Sequence, residues 1–367
     1  MSLNPAAIEF LESVIYGERK GPLAAAVKGA LILLSGVYRA AIALYLLPFN
    51  IGLRRKHHLS RPVISVGNIT VGGTGKTPTV QYLSEGLARR KWNPAVLSYG
   101  YGGSLHGKLG IAADRSGIRL TPDVAGDEPI MLASRMPGIP VLVGRDRHKS
   151  GKIATDELSA DALVLDDGFQ VWKLHRDLDI VLLNAGNPFD NKRTLPAGKL
   201  REPMCALRRA DCIIATGEWD EDALAEIHKV APDVKVYTGS FRPSVVVSLM
   251  DGATEPLESI KDKRVLALSS IANPASFEET LAMTGAVVVD KVRFPDHHLF
   301  SDEDIVSISK HAVDRAAEII ATTEKDAVKL AGRKFDVPIV ALRIELELAD
   351  ETGFWEFITG KIGDPQY

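Results

Sequence analysis

Along the chain, short apolar runs bounded by turn residues alternate with stretches of helical periodicity. The β-branched run PVISV at 62–66 is followed by a glycine-rich turn and a helical stretch over 78–90, and AVLS at 95–98 resumes the strand pattern. The runs at 141–143, 162–165, 180–183 and 212–215 are apolar throughout rather than alternating, as strands buried on both faces are. This alternation predicts an α/β fold whose first lobe is a doubly wound parallel sheet. Over 240–258 the pattern turns strand-like without helices (VVVSLM), which suits a β-ribbon linker. A second α/β series follows, with strands at 265–269, 286–289, 318–321 and 339–342 and helices over 275–284 and 301–317. The expected organisation is an N-terminal helical segment (1–58), a first lobe (59–239), the linker (240–260) and a smaller second α/β lobe (261–367).

Residues 29–48 (GALILLSGVYRAAIALYLLP) are apolar or small except for Ser35, Tyr38 and Arg39. That length suffices for a bilayer span. Glu9, Glu12 and Glu18 occupy what would be the basic region of a secretory signal, so the stretch is not one. At about 100° per residue, Lys28, Ser35 and Arg39 fall within a wedge of about 40°, giving a helix with one narrow polar stripe. An arginine in mid-span costs about 2.5–3.5 kcal/mol on insertion scales, which favours a helix lying in the interface over one that spans. A buried helix of a soluble lobe is the competing reading.

Composition is ordinary for a folded protein of 367 residues: 46% hydrophobic, 25% charged, net charge −3. At this length a single core gives way to two. Cys205 and Cys212 are too few for a disulfide framework or a structural zinc site. The small net charge conceals an asymmetry. Between Arg19 and Ser84 there is no acid and there are nine bases, leaving −12 for the rest. The near-zero net charge argues against nucleic acid, while the acid-free basic block that includes Arg54, Arg55 and Lys56 points to an anionic membrane surface, a phosphate, or both.

The chemistry begins at Thr70-Val71-Gly72-Gly73-Thr74-Gly75-Lys76-Thr77, between a predicted strand and a predicted helix. There, backbone amides cradle phosphate oxygens, Lys76 reaches the β- and γ-phosphates and Thr77 offers a hydroxyl to Mg²⁺. Thr70 replaces the usual first glycine. A buried strand ending in Asp166 and Asp167 (ALVLDD) resembles a Walker B strand, either carboxylate serving the metal. In Thr323-Glu324-Lys325-Asp326 the lysine adjoins the aspartate, out of register for a guanine-reading Asn-Lys-x-Asp, so ATP is the expected nucleotide. For the acceptor hydroxyl, Asp127 in Gly-Asp-Glu-Pro and the Phe294-Pro-Asp-His297-His298 loop offer an acid and imidazoles. Read alone, the first is also an N-cap and the second a solvated loop or a metal site. Arg145 and Arg147 after a predicted strand, and Arg201 with Glu202 after the LPAG turn, are candidate anion binders or surface ion pairs.

Taken in order, SVGNITVGGTGKTP (65–78), YGYGG (99–103), GDEP (126–129), VGRDR (143–147), LDDGFQ (165–170), LPAGKLREP (195–203), FPDHH (294–298) and TEKDAVK (323–329) resemble the tetraacyldisaccharide 4′-kinase family over nearly the whole chain. The resemblance implies two α/β/α lobes joined by a β linker and transfer of the γ-phosphate of ATP, with Mg²⁺, to the 4′-hydroxyl of a membrane disaccharide 1-phosphate. It places that reaction at the cytoplasmic face of the inner membrane, with no obligate protein partner. By motif it makes Lys76 and Thr77 the phosphate-loop pair, Asp127 the base, His297 or His298 its partner, and Asp166 or Asp167 the metal ligand. Tyr101, Arg201 and Glu202 match positions associated with the lipid's sugar and phosphate. The chain departs from the family at Tyr99, where arginine is usual, and at Val171, where histidine is usual. Two other readings stand beside it: a kinase of a soluble sugar or metabolite, and a membrane scaffold whose lobes close on nucleotide hydrolysis.

Overall fold

The computed structural model describes residues 5–217, 221–296 and 298–365. In chain order the elements are helices α1 (Pro5–Ile15) and α2 (Pro22–Asn50), strand β1 (Val63–Asn68), α3 (Lys76–Arg89), β2 (Pro94–Ser98), β3 (Gly110–Asp114) and β4 (Gly117–Ile118). There follow α4 (Pro122–Ala125), α5 (Asp127–Arg135), β5 (Val141–Val143), α6 (Arg147–Asp156), β6 (Ala162–Asp166), β7 (Leu178–Asn184), β8 (Cys212–Thr216), α7 (Glu221–Val230) and β9 (Lys235–Ser248). The remainder comprises β10 (Thr254–Pro256), β11 (Arg264–Ser269), α8 (Pro274–Ala282), β12 (Val287–Arg293), α9 (Asp302–Asp314), β13 (Ile319–Thr323), α10 (Glu324–Leu330), β14 (Ile339–Leu348) and α11 (Glu351–Ile362). The fold is α/β with mostly parallel strands and an apolar N-terminal helix, as the hydrophobic pattern predicts.

The described residues form two compact, discontinuous units: 5–76 with 167–239 and 348–364, and 77–166 with 240–347. In the first unit β1, β7, β8 and the start of β9 pair in parallel, in that order. Their inward faces bury Val181, Leu183, Ile213 and Ala215 against Ile69, Phe169, Leu200, Leu207 and Ile227. Burying about ten such side chains, at roughly 1.5–3 kcal/mol for each large one, is what holds the sheet under its loops.

Helix α2 is 29 residues, roughly 43 Å at 1.5 Å per residue. Only 6% of its most apolar window is buried. Leu23, Leu33, Leu34, Val37 and Leu44 are exposed on it. Two hydroxyls do the docking: Ser35 Oγ of the predicted stripe donates to the carbonyl of Thr194 at 2.9 Å, and the Tyr38 hydroxyl donates to the carbonyl of Arg201 at 2.9 Å, while Arg39 of the stripe is exposed. The reading of a buried soluble helix is therefore set aside, because the apolar surface of α2 faces outward and its hydroxyls face in.

In the second unit β6, β2 and β5 are parallel, and β5 continues into the antiparallel hairpin β3–β4. Its other sheet is parallel in the order β12, β11, β13, β14. Helices α8, α9 and α10 each link successive parallel strands, the connection that parallel pairing demands. Beyond residue 240, β9 pairs antiparallel with β10 through Val245–Val247, a short ribbon where the sequence pattern calls for one.

Candidate active site

The phosphate loop leaves the end of β1, and two neighbours fix it. Asn68 Nδ2 donates to Thr74 Oγ1 at 2.8 Å across the loop. The 194–201 segment pairs with it through its backbone: Val71 N–H donates to the Lys199 carbonyl at 2.8 Å and Arg201 N–H to the Ile69 carbonyl at 2.7 Å. Two motifs far apart in sequence, TVGGTGKT and LPAGKLREP, thus form one backbone-bonded layer.

Asp167 takes left-handed backbone angles (φ 53°) at the turn after β6. The turn is tied down by the Gly168 N–H, which donates to the Val66 carbonyl at 2.9 Å. The Asp167 carboxylate accepts from Arg201 Nη1 at 2.8 and 3.0 Å and lies 3.6 Å from Lys76 Nζ. Burial pushes this carboxyl up. The Lys76 and Arg201 charges, with the hydrogen bonds from both, outweigh it and hold the group below the ordinary aspartate range. Gln170 Nε2 bridges the Asn68 carbonyl and Glu202 Oε1, each at 3.0 Å. Glu202 is 3% exposed and receives Arg209 Nη1 at 2.9 Å and Nη2 at 3.1 Å. Arg209 in turn lies 3.9 Å from the Trp172 ring centroid and 4.4 Å from that of Phe169. Sequence reasoning missed Arg209. Its only signal is an arginine six residues beyond the LREP motif, with no local pattern to connect it to Glu202.

Thr77, in the first turn of α3, Asp166 and the Asp127 helix belong to the second unit. Asp166 is 4% exposed at the end of β6 and accepts from Ser98 Oγ at 2.9 Å. Asp127 is the first residue of α5. The turn before it presses against the YGYGG loop: a Cβ on Gly126 (φ 95°) would lie 2.5 Å from the carbonyl oxygen of Tyr101. The structure therefore brings Tyr101 and Asp127 to one place by backbone contact, with the Tyr101 side chain 74% exposed. Arg145 is exposed, its N–H donating to the Gly107 carbonyl at 2.9 Å, whereas Arg147 is buried and lies over the Tyr99 ring at 5.7 Å.

Of the two histidines, His297 lies outside the described residues. His298 stacks on Phe294 at 4.5 Å between centroids, and its Nε2 is 3.0 Å from Asp304 Oδ2, the carboxylate of the α9 capping box. The Ser301 backbone N–H, then His298, hold the Asp304 carboxyl below its ordinary range. Among the described residues there is no cluster of three or more His, Cys, Asp or Glu side chains arranged to hold a metal ion. A divalent ion here would have to share its shell with oxygens from elsewhere, as it does on nucleotide phosphates.

Comparison with known proteins places these motifs in context. The family model for tetraacyldisaccharide-1-P 4′-kinase matches residues 27–363. The chain is 37% identical over 350 residues to the tetraacyldisaccharide 4′-kinase of Pelobacter propionicus, covering 95% of this chain and 96% of that one. It is 41% identical over 344 residues to that of an Anaeromyxobacter species, covering 92% of each. Among solved structures, LpxK from Aquifex aeolicus, an "apo" form in complex with ATP, is similar at 30% identity and a TM-score of 0.74, covering 92% of this chain and 99% of that one.

Proposed function

We propose that this chain, which belongs to the tetraacyldisaccharide-1-P 4′-kinase family and is an ATP-dependent 4′-kinase of lipid A biosynthesis, grips its nucleotide through residues 70–77 and deprotonates its acceptor through Asp127. The observation that carries the reading is the layer joining the phosphate loop to 194–201, with Lys76 and Arg201 converging on Asp167. Two cations held side by side by one carboxylate make a preorganised anion site, which needs no rearrangement when phosphate charge develops.

Transfer breaks the bond from the γ-phosphorus to the ADP leaving oxygen and forms one to the acceptor's 4′-oxygen. Asp127 takes the hydroxyl proton, and an imidazole of the 294–298 loop steadies the charged state. The commitment of His298 to Asp304 and Phe294 supports His297 in that role. Lys76 stays on the phosphates throughout, and Asp167 keeps it aimed. Tyr101, exposed beside the Asp127 turn, Arg145, exposed after β5, and Arg201 with Glu202, beside the 70–77 loop, are read as contacts for the sugar and phosphate of the lipid.

Mg²⁺ fits the donors present. The Thr77 hydroxyl and the Asp166 carboxylate are hard oxygen ligands, and Ser98 orients the latter. When bound there, the ion neutralises phosphate charge. For location, the exposed apolar side chains of α2 and the basic residues that follow it support a peripheral or monotopic protein at the cytoplasmic face of the inner membrane, its helix in the interface.

The test is transfer of labelled γ-phosphate to a tetraacyldisaccharide 1-phosphate in mixed micelles, with the position of the new phosphate read by mass spectrometry. Asp127→Asn should bind ATP normally and lose on the order of 10²–10⁴-fold in rate, the usual span for a general base. Lys76→Ala should lose nucleotide binding as well. Wild-type rates in either variant would overturn the assignment, and phosphate appearing only as free phosphate would favour a hydrolysis-driven scaffold.

A further inference from the structure

The TEKD stretch, out of register for reading guanine, has no part in the mechanism above. Its side chains nevertheless reach four separate elements. Thr323 caps α10, accepting from the Asp326 N–H at 3.1 Å. Asp326 is fully buried and accepts from the Ser270 N–H at 2.7 Å, from Lys329 Nζ at 2.9 Å and from Ser270 Oγ, so it clamps the loop that follows β11. Glu324 is 9% exposed and ion-paired with Arg135, while Arg343 Nε of β14 donates to its other oxygen at 2.9 Å. Arg135, also buried, donates to Gln81 Oε1 of α3 at 3.0 Å. Lys325 Nζ donates to Asp296 Oδ1 at 3.1 Å.

The far ends of these contacts are the notable part. Arg135 is the last residue of α5, the helix that Asp127 opens, and Asp296 immediately precedes His297. Adjacent residues of one motif thus hold the base helix by one side chain and the histidine loop by the next. A buried ion pair contributes little to net stability once desolvation is counted, and its best-attested use is to fix one arrangement among several. Gln81 extends the arrangement to α3, the helix that Lys76 and Thr77 open.

We propose that Glu324 and Lys325 are positioning residues for phosphoryl transfer: Glu324 sets the base helix through Arg135, and Lys325 sets the histidine loop through Asp296. The proposal rests on Asp127 being the base. A displacement of about 1 Å at reacting groups costs on the order of 10²-fold in rate, so a tether of this kind is felt in kcat.

Lys325 gives the cleaner test, because it and Asp296 are 22% and 37% exposed and Lys325→Met leaves no buried charge behind. Lys325→Met should retain the wild-type melting temperature and KM for ATP while kcat falls on the order of tenfold to hundredfold. Lys325→Arg should restore most of the rate. The double variant Arg135→Met/Glu324→Leu removes both charges of the buried pair but also strips Arg343 and Gln81 of a partner, so its melting temperature should fall while kcat of the folded protein falls as in Lys325→Met with KM for ATP unchanged. Introduced into Asp127→Asn, Lys325→Met should cost nothing further, because no base remains to be positioned. Wild-type kcat in folded Lys325→Met, with Asp127→Asn inactive, would overturn the positioning role alone. So would an equal fractional loss in both backgrounds, the signature of a purely structural residue. Wild-type transfer by Asp127→Asn on its own would instead overturn the base.

Discussion

Gly67 is the next-to-last residue of β1, with no positive φ, and nothing in its own conformation calls for glycine. The demand comes from 102 residues downstream. A Cβ at Gly67 would lie 2.6 Å from Cβ of Phe169 and 2.8 Å from its backbone nitrogen, because the turn that carries Asp167 lies directly on the strand. Gly67→Ala should therefore push that turn off β1, weaken the Gly168-to-Val66 hydrogen bond and tilt Asp167 away from Lys76. We expect a loss of about 1–3 kcal/mol in stability, the usual cost of overpacking, and a fall in kcat beyond what the remaining folded fraction explains. Thermal unfolding and transfer assayed on the same preparation check both, and an unchanged kcat would show that the turn has room to move. In the sequence this glycine is indistinguishable from any other in a strand. The residues legible in the sequence are those whose pattern is local: three glycines ahead of Lys76-Thr77, between a strand and a helix, mark the loop that the structure places at the end of β1 without reference to the rest of the chain. Asp167 was legible as a carboxylate, but its commitment to Lys76 and Arg201 was not, since a contact across 34 residues leaves no periodicity to read.

At the level of elements, the long apolar runs read through to strands almost unchanged. The run predicted at 141–143 is β5 itself, and those at 162–165 and 212–215 each grow by one residue. The hairpin β3–β4 was missed because its strands are five and two residues long and the second is exposed, leaving no apolar period. The ribbon was half-read. β9 begins at Lys235 as a parallel partner of β8, a pairing set by its neighbour and invisible in its own pattern. The contact between α8 and β12 carries a prediction of its own. Glu278 receives Arg293 Nε at 2.7 Å and Nη2 at 2.8 Å, with Lys291 Nζ also at 2.7 Å. The Arg293 hydrogen bonds, against burial, take its carboxyl down to about 2 from the ordinary glutamate value of 4.5. A carboxyl depressed in the folded state stabilises above its unfolded value, and that contribution is lost as pH falls from about 4.5 towards 2. The melting temperature should accordingly drop over that window, and less steeply in Glu278→Gln. Parallel slopes in the two proteins would assign the acid sensitivity to other groups.

For the molecule as a whole, the charge asymmetry was the most informative line of the composition, because it coincides with a helix whose apolar side chains face outward. Vesicles containing anionic lipid should carry the protein to the top of a density gradient, and zwitterionic vesicles should carry less of it. Replacing Arg54, Arg55 and Lys56 together by glutamine should remove most of that difference, at about 1 kcal/mol per charge near the surface, whereas Leu33→Glu with Leu44→Glu should abolish flotation on either lipid. Equal recovery of all variants would count against the interfacial reading. The hydrophobic pattern marked α2 as a membrane candidate, yet gave no hint of what its polar stripe is for. Tyr38 bonds the Arg201 carbonyl, and the amide of that same residue bonds the Ile69 carbonyl where the phosphate loop begins. The helix with the exposed apolar face and the 70–77 loop are thus two hydrogen bonds apart, so on the interfacial reading a tilt of one should strain the other. If bilayer and micelle load such a lever differently, nucleotide affinity should differ between the two media, and equal affinity in both would show that the lever carries no load.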